Sequence, residues 1–425
     1  MTPKSIAAAL NRQGEMRIVC FFLLTLALAT SHAQAQTGMS AGVYGDIIER
    51  TISVRKSRLD VSDPESAGLV ALGMEPFVTA LVVVPPDFSM SSVVGQDERG
   101  ESKLGVALDF SPYMIFAGHA PLRSYQGDRL ARLFYRVQLS LAVSRAAFND
   151  EEGLRIAPAL RIVFHDRRDP RVHRGPGSLL NCLYNNSLPP PPDWEARIED
   201  ITRELSAPSM RASENASLRE QLLAERARRE QDLAQWASTE VSRAIHICRN
   251  ESSVARYGWD ATGLAGGIGP VFTGRSESPA RASSTSMAAW LTGSYGFDPG
   301  SDHSAYATTW WAAHAQVLGQ IMYQRGDRVE VPTSGGTTNS THINRLTLST
   351  RLRFGAPDAS GSFEGALIHE ERRGLGDQIY SRLSLGGDYR LAEGTWLTMS
   401  VGRTVARDTK NITLVRAALK WAPLN

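Results

Sequence analysis

Between Tyr380 and Arg403 the chain reads YSRLSLGGDYRLAEGTWLTMSVGR, and apolar and polar side chains alternate through it almost without a break. Leu383, Leu385, Gly387, Tyr389 and Leu391 fall on one face, and Arg382, Ser384, Gly386, Asp388 and Arg390 on the other. That is the period of a strand with one apolar and one polar side. After the turn AEG, where Gly394 is free to take a positive φ, the alternation resumes with Leu397, Met399 and Val401. The stretch is therefore a long hairpin, and what its apolar face meets decides the class of the protein.

The same pattern recurs in KLGVALDF, RLFYRVQLSLAVS, LRIAPALRIVF, MAAWLTGSYGF, AQVLGQIMYQ, RLTLSTRLRF and NITLVRAALKW. Less regular runs lie near Phe77 to Val84, Ala261 to Phe272 and Phe363 to Glu370, which brings the expected total to about twelve strands. In RLFYRVQLSLAVS the reading starts the strand at Arg132, with Tyr135 and Arg136 on opposite faces. YATTWWAAHAQVLGQIMYQ is either one very long strand or a loop leading into a shorter one. Most runs reach about 10 residues, whereas soluble strands cluster near 5–6 and tilted membrane strands need about 9–11. The expected fold is all-β: an antiparallel transmembrane β-barrel, apolar side to lipid and polar side to the interior. If the C-terminus is periplasmic, the AEG turn and the APDASG connection are short periplasmic turns, and the segment Arg325 to Ile343 is a long outer loop.

The N-terminus fits export. Lys4, Arg12 and Arg17 precede the apolar run IVCFFLLTLALA, and Ala33-Gln34-Ala35 has the small-x-small form of a cleavage site. Residues 1–35 read as a signal peptide, with Met16 an alternative start, and Cys20 sits too early in the run for a lipoprotein cysteine. No later run is long and apolar enough for a membrane helix, which needs about 20 residues. The charge balance, 46 basic against 44 acidic residues, gives no reason to expect a nucleic-acid partner. Residues 36–76 are expected to be an N-terminal periplasmic segment, and 77–166 with 261–425 the barrel.

The middle of the chain, 167–260, breaks the alternation. NNSLPPPPDWEARIEDITRELS is a proline spacer followed by a helix with a single apolar stripe, Trp194, Ile198, Ile201 and Leu205. ENASLREQLLAERARREQDLAQWASTEVSRAIHI then reads as a second helix of about 30 residues. Cys182 precedes the helices and Cys248 ends them. Removal of the leader leaves this even pair in an oxidising compartment, so a disulfide closing the insertion into a helical hairpin is expected.

Three motifs could carry chemistry. GLAGGIGP, Gly263 to Pro270, lacks the helix and downstream acid of a dinucleotide loop, and glycines in a barrel strand more often allow close backbone approach. HDRRDPRVHR and HEERR lack the spacing that sets two metal ligands on one helical face, and read as strand ends running into charged loops. No nucleophile elbow is present. No enzyme, cofactor or metal site is expected. The polar faces are instead rich in cations: Arg132, Arg136, Arg155, Arg161, Arg351, Arg353, Arg382, Arg390, Arg416 and Lys420, against few acids such as Asp109, Glu364 and Asp388. Lining a pore, they would favour anions; paired with carboxylates, they would fill a closed barrel.

Taken together, the leader, the alternating strands and the strand that ends the chain resemble Gram-negative outer-membrane β-barrel proteins as a class. The resemblance covers Phe77 to Trp421 apart from the insertion. It departs from the class at the last residue, typically aromatic there but Asn425 here, with Trp421 four residues earlier, which leaves a soluble or surface-associated β-protein as an alternative. The resemblance implies an outer-membrane location and contact with lipid. Two functions follow from the residues: a channel or transporter for small, anionic solutes, or a barrel anchoring a helical hairpin that docks an envelope partner through the Trp194 stripe. Serine at Cys182 and Cys248 would abolish partner capture in the second case and leave conductance intact in the first.

Overall fold

The computed structural model describes residues 52–54, 65–74, 87–96, 102–148, 151–166, 169, 171–172, 178–185, 199–200, 202–203, 206, 212–250, 262–275, 283–297, 315–332, 338–356, 358–372, 376–406 and 412–422. Twelve antiparallel strands pair with their sequence neighbours and close into a barrel where β1 meets β12. They are β1 (Phe88–Gln96), β2 (Ser102–Phe110), β3 (Val137–Phe148), β4 (Glu151–Asp166), β5 (Gly263–Arg275), β6 (Ser283–Gly296), β7 (Ala315–Pro332), β8 (Thr338–Ala356), β9 (Ala359–Arg372), β10 (Gly376–Ala392), β11 (Thr395–Ala406) and β12 (Ile412–Trp421). The closing seam runs from Met90 against Trp421 to Gly95 against Arg416. Closure leaves no sheet edge with unpaired backbone groups, which a hydrocarbon environment would penalise.

The opening hairpin is β10–β11. Leu385 pairs with Val401, and Gly394 turns the chain at φ +71°. Leu383, Leu385, Tyr389, Leu391, Met399 and Val401 are exposed, while Arg382 and Asp388 are buried. The apolar face thus points out of the barrel and the polar face in. Every one of the twelve strands carries at least one exposed large apolar side chain, from Met90 on β1 to Leu419 on β12. In water such a continuous apolar belt would be a liability; against lipid it is required.

The end of the barrel at which β12 finishes is called proximal here, the other distal. Exposed Phe164, Tyr295, Phe297, Phe354, Tyr389 and Trp421 all lie at proximal strand ends. They form the aromatic girdle expected where tails meet headgroups. Arg325 to Ile343, expected as a long outer loop, is mostly strand: β7 runs to Pro332 and β8 starts at Thr338, so the hairpin projects distally. The large connections are proximal instead, namely 111–136 between β2 and β3 and 167–262 between β4 and β5.

The expected run Phe77 to Val84 lies outside the described residues; among those described, the first strand is Phe88–Gln96, whose serine-rich face hides the alternation. One other strand assignment differs from the expectation. Residues 129–135 are a helix rather than the start of β3. Asp128 caps it, accepting from Leu130 N at 2.8 Å, and the local cap outweighs the alternating pattern.

A helical cap is built from the proximal connections. It contains α2 (Pro112–Ala117), α3 (Leu122–Gly127) and α4 (Arg129–Tyr135) from the first, and α5 (Leu179–Asn185), α6 (Ala212–Trp236) and α7 (Ser242–Asn250) from the second. A π-helical turn, Ala237–Val241, joins α6 to α7. Met114, Leu122, Tyr125, Tyr135, Leu179, Leu183, Trp236 and Ile245 form its core with Ile52 and Val54. The Cys182–Cys248 disulfide, with sulfurs 2.09 Å apart, ties α5 to α7. Of the expected stripe, Trp194, Ile198, Ile201 and Leu205 lie outside the described residues.

Candidate functional site: the plugged lumen

Residues 65–74, expected in a periplasmic segment, lie inside the barrel. The helix α1 (Ala67–Ala71) is buried along its whole length. Five residues are too few to be helical alone in water. Both ends are therefore secured. Ser66 caps the first turn, its hydroxyl accepting from Leu69 N at 3.4 Å. At the other end Gly73 takes φ +71°, Gly73 N donates to Val70 O, and Met74 N donates to Leu69 O. That is a Schellman closure.

The plug is seated on small inward residues. Ala107, Ala142, Ala157, Ala159, Ala288 and Val271 form one apolar cluster with Leu69, Val70 and Ala71. Polar bonds fix its register: Gly68 N donates to Ser140 Oγ at 2.8 Å, Ser66 Oγ to Asp109 Oδ1 at 3.0 Å, and Gln324 Nε2 to Ala71 O at 3.1 Å. The glycines of GLAGGIGP make room here. A Cβ on Gly269 would sit 3.1 Å from Ala71 Cβ, and one on Gly267 would sit 2.2 Å from the Trp290 ring. The motif is thus a close-approach surface for Ala71 and Trp290.

Opposite the alanine wall, the lumen is charged. Asp388 Oδ2 accepts from Arg351 Nη2 at 3.1 Å and from Ser360 Oγ at 3.2 Å, with Arg353 Nη2 at 3.4 Å. Thr398 and Lys420 also act on this carboxylate. Arg353 also donates from Nε to Ser360 Oγ at 3.0 Å. Arg351, Arg353 and Lys420 are all almost fully buried. From the plug, Glu65 places Oε1 3.8 Å from Arg351 Nη1. The plug therefore touches both walls, the apolar one with its helix and the cationic one with a carboxylate.

The other expected lining residues are dispersed. Arg155 is half-buried in the distal half, pairing with Asp327 at 2.8 Å, and Arg382 donates to Thr404 Oγ1 at 3.1 Å. Arg161 is buried on the inner face of β4, and Arg416 is half-buried on β12. Arg390 sits at the proximal rim against Asp358 of the β8–β9 turn, 2.9 Å away. Arg132 and Arg136 are not in the lumen: Arg132 is on α4 and Arg136 caps that helix inside the proximal cap. The acids outnumber the sequence reading. Glu65, Asp327 and Glu370 join Asp109, Glu364 and Asp388, so the cationic excess is smaller. Glu370, from HEERR, is a buried acceptor for Arg345, Arg372 and Tyr380. Alternation could have placed it inward; its partners come from β8 and β10 and carry no local signal.

In the cap, HDRRDPRVHR supplies a second buried cluster. Asp169 Oδ2 takes Arg136 Nη2 at 2.9 Å, Oδ1 takes Arg171 Nε at 3.0 Å, and the Tyr125 hydroxyl donates to Oδ2. Arg171 also lies over the Tyr125 ring at 4.2 Å. Burial alone would raise the Asp169 carboxyl, but the Arg171 and Arg136 guanidiniums more than reverse this and hold it well below the usual carboxylate range. Burial pushes the Tyr125 hydroxyl up to about 12. The described residues hold no group of three or more His, Cys, Asp or Glu side chains placed to share a metal ion.

A closed antiparallel barrel with an apolar outer belt, a girdle at one rim and a polar interior is a transmembrane β-barrel of the outer-membrane kind. That class follows from the barrel itself. Among solved structures, the chain is similar to the KdgM porin in complex with disordered oligogalacturonate, at 8% identity and a TM-score of 0.31, covering 79% of this chain and 99% of that one. It is also similar to an outer membrane channel from Pseudomonas putida F1, at 8% identity and a TM-score of 0.33, covering 81% and 99%. A third, the transport unit of the autotransporter AIDA-I from Escherichia coli, is 9% identical with a TM-score of 0.29, covering 84% and 98%. No protein-family model matches the chain, and no curated protein matches it.

Proposed function

We propose that the protein is an outer-membrane channel for small solutes with a mild preference for anions, that α1 is its plug, and that it carries out no catalytic step. One observation carries this reading: a short, doubly capped helix lies in the lumen of a barrel whose facing wall presents Arg351, Arg353 and Lys420. Twelve strands lie between barrels filled by their own side chains and open sixteen-stranded porins, so an added plug is consistent with a lumen that wall side chains do not fill alone. With an exported leader and both barrel termini proximal, the proximal end and its helical cap face the periplasm in this proposal.

The test is single-channel recording in planar bilayers of the full chain and of a chain lacking residues 65–74. The deletion should conduct in steady steps, while the full chain stays mostly closed. Under a salt gradient the reversal potential should lean toward anions and shift toward neutrality in Arg351→Glu and Arg382→Glu. A folded, inserted deletion variant that never conducts removes the channel reading. The disulfide-clipped cap, a core of its own outside the barrel, then favours the second function, a barrel that anchors a periplasmic docking unit.

A further inference from the structure

We infer that the proximal cluster of Arg351, Arg353 and Lys420 is a carboxylate-binding site that Glu65 occupies as a tethered ligand, so that a carboxylate solute and the plug compete for it. The inference rests on the channel reading for its physiological use, though not for its test. Three buried cations surround one wall carboxylate, Asp388, and the plug brings the second, Glu65. Buried charge without a counterion is costly. If the plug leaves, the cluster keeps its three cations and its wall carboxylates and loses the carboxylate of Glu65, and a solute carboxylate takes that place. A neutral solute of the same size does not. The remainder of the plug's hold is apolar contact with alanines and a few hydrogen bonds, which a solute at the cationic wall leaves untouched.

The test uses the full chain in proteoliposomes with Ala67→Cys as a reporter in a Cys20→Ser background, since Ala67 is buried and Cys182 and Cys248 are bonded to each other. Succinate should speed labelling of the reporter by a neutral thiol reagent on the order of tenfold, equivalent to about 1.4 kcal/mol in the plug's hold; erythritol should not. Glu65→Gln should speed labelling without succinate and abolish the response to it. Labelling indifferent to succinate in the chain that keeps Glu65 overturns the inference, even if the plug deletion conducts. Labelling that responds while the plug deletion stays silent keeps the site and removes the channel.

A separate observation concerns the cap's surface. Tyr113, Ile115, Phe116, Leu130 and Phe134 on α2 and α4 are exposed, Phe116 by 85%. Tyr113, Phe116, Leu130 and Phe134 form one patch: Tyr113 and Phe134 rings lie 5.7 Å apart, Phe116 is one turn from Tyr113, and Leu130 one turn from Phe134. The geometry points to a foot that dips into the proximal leaflet and binds anionic phospholipid. α2 begins two residues after β2 and α4 ends two residues before β3, so the patch is tethered beside the proximal ends of two lipid-facing strands. Exposed Arg129 and half-buried Arg132 lie on α4 with Leu130 and Phe134, exposed Arg123 lies on the neighbouring α3, and Asp128 is the acid that caps α4. Arginines beside exposed aromatics are the composition of an interfacial helix.

With a bimane label at Phe116→Cys in proteoliposomes, lipids brominated in the acyl chains should quench the label, and brominated phosphatidylglycerol more than brominated phosphatidylcholine. A label at Ser217→Cys, exposed on α6, should stay unquenched. An unquenched position 116 beside a quenched belt label at Leu419→Cys overturns the foot. Equal quenching by both lipids overturns its preference for anionic headgroups.

Discussion

Individual residues decide whether the plug can sit where it does. A Cβ on Gly68 would lie 2.6 Å from Ala142 Cβ and 2.9 Å from Ala142 N, and backbone cannot give way as a flexible side-chain tip can. Gly68→Ala should therefore lift α1 from β3 while leaving strand pairing intact. The expected outcome is faster labelling of the Ala67→Cys reporter and frequent channel openings, with an unchanged shift in electrophoretic mobility on heating. Asp388 is a different case, because it is the wall carboxylate for Arg351 and Arg353. Asp388→Ala leaves buried cations facing one another, at a cost of roughly 3–5 kcal/mol, which should appear as a lower urea midpoint for the whole barrel. Much of this was legible in the sequence. Arg351, Arg353, Arg382, Asp388 and Lys420 follow from alternation alone as inward residues. Glu65 did not, because nothing within an extended N-terminal stretch reveals that it returns into the lumen, even though Ser66 and Gly73 mark the two ends of a short helix.

At the level of elements, the cap is stabilised independently of the barrel, by its disulfide and by the Asp169 cluster. The bridge spans 66 residues, and the loop-entropy account gives it about 4 kcal/mol. Serine at both cysteines should lower the melting of the helical circular-dichroism signal and leave the strand signal unchanged. The cluster sets a pH window. Asp169 titrates lower in the folded cap than in the unfolded chain, so its contribution is complete above about pH 3.9 and is lost as acid approaches the depressed folded value. Tyr125 titrates higher when folded, near 12, so its contribution is complete below about pH 10 and disappears as pH rises through 12. Helical melting should be flat between these limits and fall on both sides, and Asp169→Asn should remove the acid limb and lower the plateau. Sequence reading found the disulfide from cysteine parity and the long helix from composition. It misread α4 as strand because Leu133, Tyr135 and Val137 alternate across a helix end as smoothly as along a strand, and only the Asp128 cap separates the two.

Over the whole molecule, closure of the barrel and occupation of its lumen rest on different residues. Period-2 alternation identified the class and the number of strands because each strand must solve the same problem, lipid outside and polar groups inside. It could not place β1, where serines face inward at Ser89 and Ser91 and the outer positions are as varied as Met90 and Val94. Yet β1 provides the seam: Met90 to Gly95 pair with Trp421 to Arg416, and without that pairing two strands would present open edges to lipid. Two deletions should therefore have opposite effects. Removing residues 412–425 takes away β12, leaves one edge of β1 and one of β11 unpaired, and should give a chain that never reaches the compact, heat-modifiable form in detergent or liposomes. Removing residues 65–74 takes away α1 together with Glu65 and Ser66, and exposes Ala107, Ala142 and Ala157 to water. Such small apolar groups cost little to hydrate, at about 25 cal/mol per Å², so the heat-modifiable form should persist with a modestly lower denaturant midpoint. Loss of the barrel in the second deletion would mean that α1 is part of the folding core, and that the plug cannot leave a folded channel to open it.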